Sequence, residues 1–396
     1  MESDGCAGGA KGLVAAIHAS LDPLRSRGTD RPTPGRASKQ VAEDHLSVSL
    51  SAVQVSESGS VRRLGGLDGL RGIAVAVVVL FHANWAPSGF MGVDVFFVLS
   101  GYLITGILRK EYARTGTIRL LRFTRRRLIR LYPALVVVCA FVLVISLVAR
   151  TAVREVGIDV FHALTYTSNI WSGGSALLDH TWTLSLEEQF YLLWPFLLWI
   201  ALRSSTRWAW LPTAIVIGTV LSLDLFTGQS GALHTYVRAM GLPVGCVLAF
   251  ATPTVLRTLR PLALLSGPAL LILFFVPLPA YLTTGWPISI GALLAAPLVA
   301  ALVTTNVRPL ARGPLCWLGL RSYSLYLWHL PIMLLVFFHS PDAVPVWIRP
   351  IAAIVVSLLF AEASYRYVEQ PFLRLRDRGR RRGSSLEAPV PRNPSP

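Results

Sequence analysis

Five groups of residues in this chain have types and spacings that could do chemistry. The first is Arg71 and His82, eleven positions apart in LDGLRGIAVAVVVLFHA. At about 100° per residue, eleven steps return to nearly the same helical face, about 16 Å further along the axis. A histidine ionises near neutrality and can act as a general base, while an arginine on its stripe can hold an anion or orient an acid. The structural alternative pairs Arg71 with Asp68, three residues earlier, and leaves His82 a hydrogen-bonded core residue. The second group is Arg127 and Arg130, one turn apart in RFTRRRLIRLYP. Planar guanidinium forks suit phosphate oxygens, although charges there also serve to orient a membrane protein.

The third group is Glu187 and Glu188, in HTWTLSLEEQFYLLWP. They point about 100° apart on an apolar helix, so at least one is expected to face inward toward Arg71, Arg238 or His82. His180 opens the same stretch. In RSYSLYLWHLP, Ser322, Tyr326 and His329 fall at i, i+4 and i+7, a single polar stripe, and Pro331 is placed to kink the helix. A structural hydrogen bond is the alternative for His329. Finally, Ser100 and Gly101, with Thr105, are small residues suited to close helix packing. Ser100 has no base at a nucleophile's spacing and no GxSxG surrounds it. Pro87 stands five residues after His82, so a soluble-type HxxxxD site is absent.

The elements that must carry these residues are membrane helices. Of 396 residues, 53% are hydrophobic and only 15% charged, against about a quarter charged in soluble proteins, and the mean hydropathy is +0.55. Apolar runs near twenty residues centre on 67–85, 89–108, 128–149, 183–202, 208–226, 233–251, 262–281, 285–305, 317–339 and 347–368. The expected fold is therefore all-α, a polytopic bundle of about ten transmembrane helices. Span four, with its two acids, is the weakest by hydropathy.

Positive charge alternates between loops. Arginines crowd 109–130 and the loops holding Arg203, Arg257, Arg260, Arg308 and Arg312, whereas 227–232, 282–284 and 340–346 hold no Lys or Arg. This pattern puts both termini in the cytoplasm. The net charge of +16 lies in those loops and the tail, and no basic soluble domain interleaved with aromatics exists, so no nucleic acid is expected as partner. Residues 150–182 form the largest external segment, with a re-entrant or interfacial helix expected around 157–171. Residues 1–60 contain no secretory signal and read as a disordered extension, 61–375 as the transmembrane domain, and 376–396 as a basic disordered cytoplasmic tail. Cys6, Cys139, Cys246 and Cys316 form neither a disulfide framework nor a metal-ligand spacing, and no metal is expected.

Taken together and in this order, LDGLRGIAVAVVVLFHA, GFMGVDVFFVLSGYLIT, RRRLIRLYPAL, HTWTLSLEEQFYLLWP, SYSLYLWHLP and YRYVEQPF resemble the acyltransferase 3 family of bacterial membrane O-acyltransferases, over about 61–375. The resemblance implies ten transmembrane helices in the cytoplasmic membrane and transfer of an acyl group, acetyl above all, from acyl-CoA to a hydroxyl. Implied acceptors are carbohydrates or glycosylated secondary metabolites. The family's arginine–histidine pair matches Arg71 and His82, its acidic position Glu187 or Glu188. Its RxxR pair on the acyl-CoA side matches Arg127 and Arg130, and its serine–glycine pair matches Ser100 and Gly101. His180, Tyr326 and His329 are expected on the acceptor side or in support. Acyl-CoA serves as co-substrate, with no resident cofactor. Some members carry a C-terminal extracytoplasmic hydrolase-like domain, whereas this sequence closes on a basic tail. On this topology CoA phosphates meet the arginine-rich inner rim, and the pantetheine arm spans the ~16 Å from Arg71 to His82. A carboxylate, Glu187 or Glu188, is expected to orient the His82 ring. The rival reading is a transporter or flippase of a polyol or glycolipid that uses the same buried charges as a path, although no repeat between halves supports it. A sensor or scaffold would need neither Arg71 nor His82.

Overall fold

The computed structural model describes residues 65–171, 174–204, 239–278, 286–305, 307–339 and 344–374. Residues 1–60, Arg238, the expected span at 208–226 and the tail from 376 lie outside them. Among the described residues the chain is helical, without strands. The helices are α1 (Gly65–His82), α2 (Gly92–Thr115), α3 (Leu120–Ala149), α4 (Val153–Leu164), α5 (Trp182–Ser204), α6 (Gly241–Phe250), α7 (Pro253–Leu259), α8 (Ala263–Phe275), α9 (Trp286–Thr304), α10 (Arg308–Ala311), α11 (Gly313–Leu320), α12 (Ser322–His339) and α13 (Ile348–Ser364). A π-helical turn, Tyr365–Glu369, follows.

Five helical stretches are long and apolar enough to cross a membrane: Gly65–His82, Gly89–Thr115, Leu120–Ala149, Pro253–Phe275 and Ile348–Arg374. A sixth arises if α11 and α12 form one broken span. The chain is thus an all-α membrane bundle, but the expected ten spans are not reached among the described residues. The fourth expected span is a helix, α5, whose two acids and neighbouring polar residues keep it outside that set. The sixth and eighth appear as shorter apolar helices, Gly241–Phe250 and Ile290–Thr304.

Helix ends follow local chemistry. α1 stops at His82, because Asn84 turns into the left-handed region (φ 62°) and the amides of Trp85 and Ala86 return to the Leu80 carbonyl. α2 stops at Gly116 (φ 68°), whose amide caps Tyr112. α3 runs unbroken through Pro133, so the arginine-rich segment and the membrane span are one rod of 30 residues. Left-handed Arg150 and Ala152 then reverse the chain, and α4 runs back along α3 until Tyr166 lies 6.3 Å from Tyr132, ring to ring. The helix expected around 157–171 thus lies at Val153–Leu164 and doubles back along α3, as Tyr132 is 17 residues, about 26 Å, from the end of α3.

Two helix contacts position the site. α1 packs on α11 backbone to backbone, since a Cβ on Gly319 would fall 1.7 Å from the Asp68 carbonyl oxygen. α2 packs on α6 in the same way: a Cβ on Gly101 would lie 2.0 Å from the Leu242 carbonyl oxygen. Gly101 therefore serves close approach, as the small-residue reading expects, and Thr105 continues this seam with a hydrogen bond to Cys246 Sγ at 3.2 Å. The ninth expected span is broken. α11 and α12 meet at a bend of 76° around Arg321, not at Pro331, which lies within α12. The bend is anchored from elsewhere in the chain: the Arg321 guanidinium pairs with Glu362 and stacks on Trp317 and Tyr365, 4.2 and 4.7 Å from their ring centres.

Candidate active site

Five helices converge on a cavity of about 200 Å³. α1 supplies Arg71, α2 Ser100, α3 Arg127 and Arg130, α5 Thr183, Glu187 and Tyr191, and α12 Ser322, Tyr323 and Tyr326. Small-molecule pockets usually run from about 300 Å³ upward, so this one suits a slender arm, not a whole nucleotide.

The acids and arginines sort into two layers. Glu187 accepts a hydrogen bond from Ser100 Oγ at 2.8 Å, on the cavity side. Glu188 points away and pairs with Arg127, Nε to Oε1 at 3.5 Å. The Arg127 guanidinium also lies over the Tyr191 ring, 3.2 Å from its centre. The 100° offset between the two acids thus gives Glu187 alone the Ser100 hydroxyl, while the charge of Arg127 acts on both. Arg71 forms no ion pair with Asp68; it acts electrostatically on Glu187 and on Glu369 instead. Arg130, the more exposed of its pair, also acts on Glu369.

Glu369 was not singled out from the sequence. It is 4% exposed, ends the π-helical turn and takes a hydrogen bond from Ser324. An acid at the end of a long apolar helix, two residues before Pro371, was the signal available, and Arg366 and Gln370 beside it made it read as a solvated end.

His82 does not line this cavity. It is half-buried at the end of α1, where its ring centre lies 5.0 Å from that of His329 and 5.0 Å from Phe81. His180 completes the cluster, 5.3 Å from His329. The expected carboxylate is not beside His82, because Glu187 and Glu188 lie two turns along α5 from His180 and are held by Ser100 and Arg127. Imidazoles take that place. Among the described residues no group of His, Cys, Asp and Glu is disposed to hold a metal ion.

Tyr326 joins the two regions. Its ring lines the cavity and lies 5.4 Å from both His180 and His329. Its hydroxyl bonds to the His180 carbonyl at 2.9 Å and meets Thr183 Oγ1 at 2.6 Å. The predicted stripe of Ser322, Tyr326 and His329 is therefore a real face of α12, directed inward. His329 is fully buried and its Nδ1 lies 2.6 Å from the Tyr326 carbonyl oxygen. A carbonyl only accepts, so Nδ1 carries the proton and Nε2 presents a lone pair, with no hydrogen-bond partner in this structure.

This arrangement sits within a recognisable sequence unit: a family model described as an acyltransferase domain matches residues 64–366. The chain belongs to the acyltransferase 3 family. Every residue of the cavity and of the histidine cluster falls inside the matched stretch, and Glu369 lies just past it. This acyltransferase 3 chain is similar to O-acetyltransferase OatA of Staphylococcus aureus strain NCTC 8325 / PS 47, with 34% identity over 347 residues. OatA of strain MRSA252 matches to the same extent. The match covers 79% of this chain but only 57% of OatA. No solved structure matches the chain.

Proposed function

We propose that this chain is a membrane O-acetyltransferase. It takes the acetyl group of acyl-CoA presented from the cytoplasm and passes it to a hydroxyl of a carbohydrate or glycosylated acceptor. Both termini and the arginine-rich loops are cytoplasmic in this reading, and the chain crosses ten times. One observation carries it: Arg71, Ser100, Arg127, Arg130, Glu187 and Tyr326, from five helices, line a single narrow cavity that ends against the histidine cluster. The names of the S. aureus relatives favour acetyl as the group moved.

The nucleotide is too large for the cavity and stays outside it, with its phosphates on Arg130 and neighbouring arginines of α3. The pantetheine arm enters past Arg71 and Ser100, so the thioester approaches Tyr326. His82 takes the proton of the acceptor hydroxyl as its oxygen attacks the thioester carbonyl. The C–S bond breaks, and the proton held by His82 passes to the departing sulfur, so that CoA leaves as the thiol. A route in which the His82 ring first receives the acetyl group and then yields it to the acceptor has the same balance. His329, its tautomer fixed by the Tyr326 carbonyl, packs its ring beside His82, 5.0 Å centre to centre, where a carboxylate was expected. Glu187 holds Arg71 and Ser100 in register.

The test uses purified full-length chain in proteoliposomes with acetyl-CoA and candidate glycans. Thiol release that depends on the glycan, with the label recovered on a glycan hydroxyl, is the expected result. Uptake of a radiolabelled polyol without thiol release would overturn the proposal in favour of transport.

A further inference from the structure

A second cavity, about 780 Å³, opens on the other side of α1 and takes no part in the proposed reaction. Its walls are apolar side chains of α1, α2, α8 and α9, among them Leu70, Ile73, Leu264, Phe274 and Leu298. Arg257 and Arg260 stand at one end, and neither makes an ion pair within 4 Å among the described residues. Along α8 the lining runs from Ala263 to Phe274, eleven steps or about 16 Å, which is half of the ~30 Å hydrocarbon core and therefore one leaflet deep.

We propose that this groove binds one anionic phospholipid of the cytoplasmic leaflet, with an acyl chain along α8 and the phosphate on Arg257 and Arg260. Three features select that occupant. Leu264 and Leu271 are 78% and 54% exposed, so the groove opens sideways to the surrounding lipid. The two exposed guanidiniums lie three residues apart at one end, and their planar forks pair with phosphate oxygens. The charge sits where an inner-leaflet headgroup would, on the arginine-bearing side of the chain. Because the floor includes Leu70, Ile73 and Ala74, the bound chain packs against the helix that carries Arg71 and His82.

The full-length chain, purified in detergent with phosphatidylglycerol and phosphatidylcholine of identical acyl chains, is examined by native mass spectrometry. One phosphatidylglycerol retained per chain, in at least tenfold preference to phosphatidylcholine, is expected. The R257A/R260A double variant, altered only at exposed positions, is expected to lose that preference. Ala301→Phe, which fills the groove, is expected to lose retention of either lipid; if that variant does not elute as a single folded species, the double variant decides alone. Equal retention of the two lipids by the unaltered chain, or an undiminished preference in the double variant, would overturn the proposal.

Discussion

Replacing His82 with alanine is expected to lower acetyl transfer by about 10²–10⁴-fold, the usual contribution of a positioned general base, and to abolish it if the ring carries the acetyl group. The loss should fall on turnover, because His82 lies beyond the cavity that receives the donor. Folding should be nearly untouched: His82 is half-buried at the last position of α1 and shares its surroundings with Phe81 and His329. The comparison is initial rate against the amount of inserted, monodisperse protein. Full activity in His82→Ala would remove the ring from the reaction. A collapse in folded yield would make His82 a packing residue.

The second large effect separates the two arginines of the RxxR pair. Arg127 is 20% exposed and Glu188 13%, so each has left most of its water and depends on the other. Removing Arg127 strands a carboxylate and uncovers the Tyr191 ring, at a cost of about 3 kcal/mol, typical of breaking a buried pair. Arg127→Ala should therefore lower the thermal midpoint by roughly 4 °C. The double variant Arg127→Ala/Glu188→Ala should recover part of that loss, since Glu188 no longer stands without its partner. Arg130→Ala, at a more exposed position, should keep the midpoint and raise the KM for acyl-CoA. Equal effects of Arg127→Ala and Arg130→Ala on stability and on KM would contradict this division.

How much of this was legible in the sequence differs residue by residue. The inward face of Ser322, Tyr326 and His329 could be read because a helix repeats every 3.6 residues, and the spacing alone fixes which side chains share a stripe. The Arg71–His82 relation followed from the same arithmetic, since both lie on one uninterrupted helix. Relations between helices were not legible. The carboxylates went to Ser100 and Arg127 instead of His82, because their reach depends on where α2, α3 and α5 stand around α1. The bend at Arg321 had no Gly or Pro at that position to announce it and is held by Glu362, 41 residues away. Glu369 was hidden for a related reason. One acid near a helix end reads as solvated until Ser324 and the arginines are seen around it. That a short helix lies between α3 and α5 was legible, because the stretch is too long for a loop and too polar for a span, although it runs over Val153–Leu164 and not 157–171.

In the proposed reaction one narrow cavity hands an acetyl group from the arginine-rich face to histidines near the other face. Sealed, oriented proteoliposomes measure this directly, with labelled acetyl-CoA confined to the arginine-rich side and the glycan to the opposite side. Thiol is expected on the arginine-rich side and labelled glycan on the other. Transfer only when both substrates share one side would contradict it.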